Sequence, residues 1–223
     1  MAKSVVAFSL NEFNPSYTRV LLNGAFFPSY TFRNLGTLEL IQGDAVFVYS
    51  SVKSLGNLTT INGYADFEKS IVENLDKLTT ISGNVNFYNS QTIDLGSLTT
   101  IGGDAYFRDS AIKDLGNLTT IGGDAYFEDS QVENLGNLTT IGGYANFRDS
   151  RIKNLGNLTT IGRYADFGRS QVESLGNLTT IGGDADFYDS QVESLGNLTE
   201  ILGSAYFGDR TDLQAEWEKR KNK

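Results

Sequence analysis

Tyr106, Tyr126, Tyr144 and Tyr164, together with Asp104, Asp124, Asp166 and Asp186, are the residues of this 223-residue chain whose types and spacing point to chemistry. Successive tyrosines are 20 positions apart, with one step of 18 between Tyr126 and Tyr144. Tyr supplies a large contact area at small entropic cost, and carboxylates beside it add charge. That combination suits recognition of a macromolecule, a protein first and a glycan second. Tyr also has high β propensity and stacks well across a sheet, so a purely structural column would show the same pattern.

Bond-making chemistry has less to work with. The chain has no His and no Cys, which removes the commonest general base, the usual thiol nucleophile and the usual zinc ligands. An enzyme needs a local, non-repeated constellation of acids and bases. Here the acids recur with the same spacing throughout, and only Arg163 and Arg169 interrupt it in one place. The expectation is a non-enzymatic protein with no catalytic residue, cofactor or metal site. Asp109, Asp129 and Asp149 stack like charges, which calls for a neighbouring Arg, a cation such as calcium, or a turn bond from each Asp to its own backbone. The Thr pairs from Thr59 and Thr60 to Thr179 and Thr180 raise ice binding, but adjacent residues do not project from one strand face. The net charge of -9 argues against sequence-independent nucleic-acid binding, which neutralises phosphates with basic side chains.

The elements that must position these residues follow from a repeat. Ile41, Ile61, Ile81 and every twentieth residue to Ile201 fall at one phase with no insertion. The consensus from each Ile is I-x-G-x-A-x-F-x-x-S-x-V-x-x-L-x-x-L-T-T, and a weaker copy precedes it with Leu21, Ala25, Phe27, Phe32, Leu35 and Leu38. Ala105 and Phe107 are two apart and share one side of a strand, whereas Val132, Leu135 and Leu138 are three apart and fit a chain turning corners. One repeat is therefore one turn of a coil, stacked at about 4.8 Å so that like residues form interior columns.

The fold class predicted is all-β, a right-handed parallel β-solenoid of 20-residue coils. Its segments are an N-terminal cap over 1–20 with Phe8, Phe13 and Tyr17, a solenoid of about ten coils over 21–210, and a capping helix with a basic tail over 211–223. In that helix Asp212 caps the start, Leu213 and Trp217 share one face, and Lys219, Arg220, Lys221 and Lys223 suit the C-terminal end. The Ser column (Ser50 to Ser190) and the Gly column (Gly43 to Gly203) mark corners. If the Gly column needs positive φ, its exception, Arg163, carries strain of roughly 1 kcal/mol. Lys113, Glu133, Lys153 and Glu173 alternate in sign, as do Arg108, Glu128 and Arg148, which holds the stacking register at about 0.2–1 kcal/mol per pair.

The run L-G-N-L-T-T-I-G-G-D-A-Y-F at Leu115 to Phe127 resembles leucine-rich-repeat-like solenoids, closest to receptor L domains and to tandem arrays of bacterial and bacteriophage proteins. The resemblance covers residues 21 to 210 and implies a right-handed coil that binds other macromolecules through its variable positions. The leading expectation is a protein-interaction or structural module using the Tyr and Asp face or its caps. A carbohydrate-binding or carbohydrate-active solenoid is the alternative, and an acidic decoy for a DNA-binding protein is a third. The short apolar stretch Val5 to Phe8 is below the length of a signal peptide's apolar region and no segment approaches a bilayer span, so a cytoplasmic or virion-associated protein is expected. The oligomeric state is open.

Overall fold

In each coil two pairs of residues are extended enough to hydrogen-bond across coils, and corners separate them. The computed structural model describes residues 6–7, 13–16, 18–21, 23–27 and 32–221. Thr100–Ile101 and Ala105–Tyr106 are typical strands, parted by a bend at Gly102–Gly103. The first strands of all coils join in an 11-stranded parallel sheet and the second strands in a 10-stranded one. Register is one full repeat at every step: Thr100 pairs with Thr120, Ile101 with Ile121 and Ala105 with Ala125. A third side is held by isolated parallel bridges such as Asp114 to Asn134 and Ser174 to Ser194. The protein is thus a parallel β-solenoid of 20-residue coils.

Like residues stack inside. Phe27 to Phe207 form an unbroken file with neighbouring rings 4.8 to 5.8 Å apart and within 17° of parallel. The Ile, Ala, Phe, Val and two Leu columns are buried throughout the central coils. Offset stacking of rings and close packing of aliphatic columns make each coil's core continuous with the next.

Corner chemistry departs from the sequence expectation at three places. The left-handed residue lies at the position before Ser, where Asp109, Asp129 and Asp149 have φ of 52°, 52° and 53°, and at the Gly of L-G-N, where Gly116 has φ of 57°. Asp is among the residues that tolerate this region, so the Asp column serves backbone shape more than side-chain bonding. The Gly43 to Gly203 column does not have positive φ. It is small because coils meet there: a Cβ on Gly123 would lie 2.2 Å from Asp104 Oδ1 and 2.7 Å from the Gly103 carbonyl carbon. Arg163 therefore carries no left-handed strain; it is exposed, and the residue stacked below it on the acidic column is Tyr144, which brings no carboxylate. In the Ser column, Ser110 N–H closes the turn onto the Phe107 carbonyl at 3.1 Å, while its buried hydroxyl makes no hydrogen bond among the described residues. Small size is what that corner uses.

Val6–Ala7 adds the first strand of the 11-stranded sheet, and Phe13 sits edge-on to Phe27 and Phe32 with centroids 6.4 and 4.9 Å away. Phe8, Tyr17 and Lys223 lie outside the described residues. At the other end a helix, Thr211–Lys221, buries Leu213 and Trp217 against the last coil. Asp212 lies in its first turn, ion-paired to Arg210 at 2.7 Å, rather than ahead of it as a cap. Glu216 accepts the Leu195 N–H at 3.0 Å and Arg220 donates to the Leu198 and Gly196 carbonyls, so the helix satisfies backbone groups that a further coil would otherwise meet. No helix among the described residues is long and apolar enough to cross a membrane.

Candidate functional site

Three outward columns share the face of the 10-stranded sheet, one residue before Ala, one before Phe and one after it. From Tyr64 to Tyr206 every coil places one Tyr in these columns: Tyr64, Tyr88, Tyr106, Tyr126, Tyr144, Tyr164, Tyr188 and Tyr206. Because coils stack in register, the rings meet. Tyr106 and Tyr126 stack at 4.8 Å, Tyr126 meets Tyr144 edge to face at 5.7 Å, and Tyr144 and Tyr164 stack at 5.2 Å. The four tyrosines expected to form a band do form one. Tyr64 and Tyr88 extend it: with Asn86, Tyr106 and Arg108 they line an open groove of about 460 Å³. Tyr64 stands in the same column before Ala as Tyr144 and Tyr164, and Tyr88 is found in the sequence by following the third column, after Phe.

The carboxylates have two tasks. Asp104 Oδ1 accepts the N–H of Asp124 in the next coil at 2.8 Å, and Asp124 Oδ1 accepts that of Tyr144 at 2.7 Å. Their Oδ2 atoms accept the Tyr106 and Tyr126 hydroxyls at 3.4 and 3.3 Å. In the next column Asp166 accepts the Gly168 N–H and Asp186 the Tyr188 N–H, each two residues on at 2.8 Å. The acidic columns are therefore also turn and coil-stacking devices, which composition and spacing alone do not separate from binding. Asp166 is buried beside Tyr144 and Tyr164, which takes it off the accessible surface that the sequence reading gave it.

Burial and neighbouring carboxylates make the phenols hard to ionise. Tyr64, Tyr126 and Tyr164 are pushed up to about 12, first by desolvation and then by the charges of Asp66, Asp124 and Asp166 respectively. Tyr106 and Tyr144 move the same way for the same first cause. Desolvation also raises Asp166, against the pull of the Gly168 N–H and Arg148. The band thus offers neutral hydroxyl donors beside carboxylate acceptors at neutral pH.

Charge is concentrated here. Over residues 44 to 208 the three columns hold nine carboxylates, Asp44, Asp66, Glu68, Asp104, Asp124, Glu128, Asp166, Asp184 and Asp186, and two guanidiniums, Arg108 and Arg148, a net -7 of the chain's -9. Ion pairing differs from the expected alternation. Arg148 reaches Asp166 at 3.7 Å, while Glu128 accepts from the Asn146 amide. Arg108 bridges Asp109 and Asp129, and Arg169 meets Asp149 at 3.2 Å, which offsets the stacked corner charges without a metal. In the Lys113 to Glu173 column, Lys153 and Glu173 alone come within ion-pair distance among the described residues, at 3.5 Å. Among the described residues no group of three or more Asp or Glu side chains is placed to hold a metal ion.

The Thr pairs are divided between two tasks. The first of each pair bonds inward along the coil stack, as Thr99 Oγ1 donates to the Thr79 carbonyl at 3.1 Å. The second, such as Thr100, lies in the strand. Among the described residues the paired hydroxyls therefore form no flat double row without protein partners. No protein-family model, no curated protein and no solved structure matches this chain, so the chemistry of the face rests on its own geometry.

Proposed function

We propose that this chain is a non-enzymatic binding or structural solenoid of leucine-rich-repeat-like type, and that it holds a protein partner on the Tyr and Asp face. The observation that carries this is the tyrosine row: one ring per coil, kept while its column changes, in a fold whose core uses none of them. A stacking role alone would keep each ring in a single column, as the Phe file is kept. Stacked pairs cover each other's ring faces, which favours a protein surface over a sugar ring seated flat on an aromatic face. The acids bond backbone N–H groups in repeated fashion, which supports a contact surface over a catalytic constellation.

Affinity purification from the native host, with the wild-type chain and with Tyr126→Ser plus Tyr144→Ser, tests the reading. The double variant is expected to lose its captured partner while its circular dichroism spectrum is unchanged. Capture that survives the substitutions removes the aromatic band as the site.

A further inference from the structure

Resting on the face as the contact surface, we infer that its occupant is a cationic protein segment, extended along the solenoid axis and carrying Lys or Arg in two groups. The first argument is charge complementarity. Seven of the nine net negative charges of the chain lie on this one face, and the corner beside it adds Asp109, Asp129, Asp149 and Asp189 against Lys69 and Arg169. The guanidiniums within the columns are already engaged with Asp129 and Asp166. Asp104, Asp124, Asp184 and Asp186 have no cationic partner among the described residues, although two of them stack directly on each other in adjacent coils. Like charges about 4.8 Å apart repel, and a cation between them reverses the sign of that interaction.

The second argument is that the molecule already binds a cation of its own in this manner. The Lys69 ammonium is 2.8 Å from the Glu68 carboxylate and lies 5.5 and 5.9 Å from the ring centres of Tyr49 and Tyr88. A primary amine held by a carboxylate beside tyrosine rings is the pairing that a partner's Lys would meet at Asp184 and Asp186, next to the exposed rings of Tyr188 and Tyr206. The third is spacing. Asp104 with Asp124, and Asp184 with Asp186, are centred three and a half coils apart, roughly 17 Å along the stack, the reach of about five extended residues.

The probe is a fluorescent 12-residue peptide with two Lys-Arg pairs five residues apart, titrated by anisotropy at low and moderate salt. Asp104→Asn, Asp124→Asn and Asp186→Asn together remove three charges from the face. Asn keeps the backbone bonds, because Asn84 already accepts the Asp104 N–H at 2.8 Å and Asn86 the Tyr88 N–H at 2.9 Å. Glu133→Gln, Glu173→Gln and Glu193→Gln remove the same charge from the third side. The face variant is expected to bind roughly tenfold more weakly and the control less than twofold, with affinity falling as salt rises. Equal losses in both variants, no binding to the wild type, or displacement of the peptide by a neutral oligosaccharide overturns the inference. Should the peptide fail while Tyr126→Ser plus Tyr144→Ser still abolishes native capture, the face stands as the site and the cationic occupant is wrong.

Discussion

The phenols of Tyr64, Tyr126 and Tyr164 connect burial to a measurable pH dependence. Their folded values of about 12 lie above the ordinary 10.0. A raised folded value means that the neutral form is favoured by folding, so this stability is fully present below pH 10 and is lost as pH rises from 10 towards 12. Titration of phenolate absorbance should resolve a late-ionising group, and thermal midpoints should fall across the same interval. Tyr126→Phe plus Tyr164→Phe is expected to flatten that fall. A single phenolate transition near pH 10 would show that the stacked rings are not desolvated. Asp166 illustrates the limit of sequence reading at this scale: its position was legible, but it is buried beside Tyr164 of its own coil and Tyr144 of the coil before.

At the scale of the coil, the informative positions are its corners. Gly123 has ordinary φ but no room, so Gly123→Ala presses a methyl onto Asp104 Oδ1 and the Gly103 backbone. The expected cost is about 1–3 kcal/mol, read from chemical denaturation. Arg163→Gly removes the one side chain in that column at the coil where Tyr144 brings no carboxylate to press on, so its unfolding midpoint should change little. If Gly123→Ala changes the midpoint as little, close approach is not what keeps the column small. Asp129 poses the opposite problem, a left-handed backbone in an open corner. Asp129→Gly is expected to be neutral, whereas Asp129→Val should cost about 1–2 kcal/mol in the same assay because a β-branched residue is strained there. The sequence marked both corners through its Gly, Ser and Asp columns. It did not say which had unusual φ and which had little space, since both demands select small or turn-forming residues.

Across the whole molecule, each coil touches mainly the coils before and after it, so stability is carried by nearest-neighbour interfaces. Deleting residues 121 to 140 joins Thr120 to Ile141 in phase and keeps every column continuous. That protein should retain its β circular dichroism and melt cooperatively a few degrees lower. Deleting 121 to 130 alone puts the Phe file out of register and should prevent folding; equal tolerance of the two deletions would contradict the stacked architecture. The helix matters at the same scale, because Leu213 and Trp217 cover apolar surface that another coil would otherwise cover. By itself the sequence determined the coil, its 20-residue period, the buried columns and the helical end, because an uninterrupted repeat leaves one way to bury Ile, Ala, Phe and Leu together. Only the tertiary structure decided that the acids bond backbone amides, that Asp166 is buried and that Arg108 and Arg148 pair as they do. The deciding contacts run between neighbouring coils, 18 to 22 positions apart in sequence, and their distances depend on how far one coil sits above the next and how each ring turns within that gap.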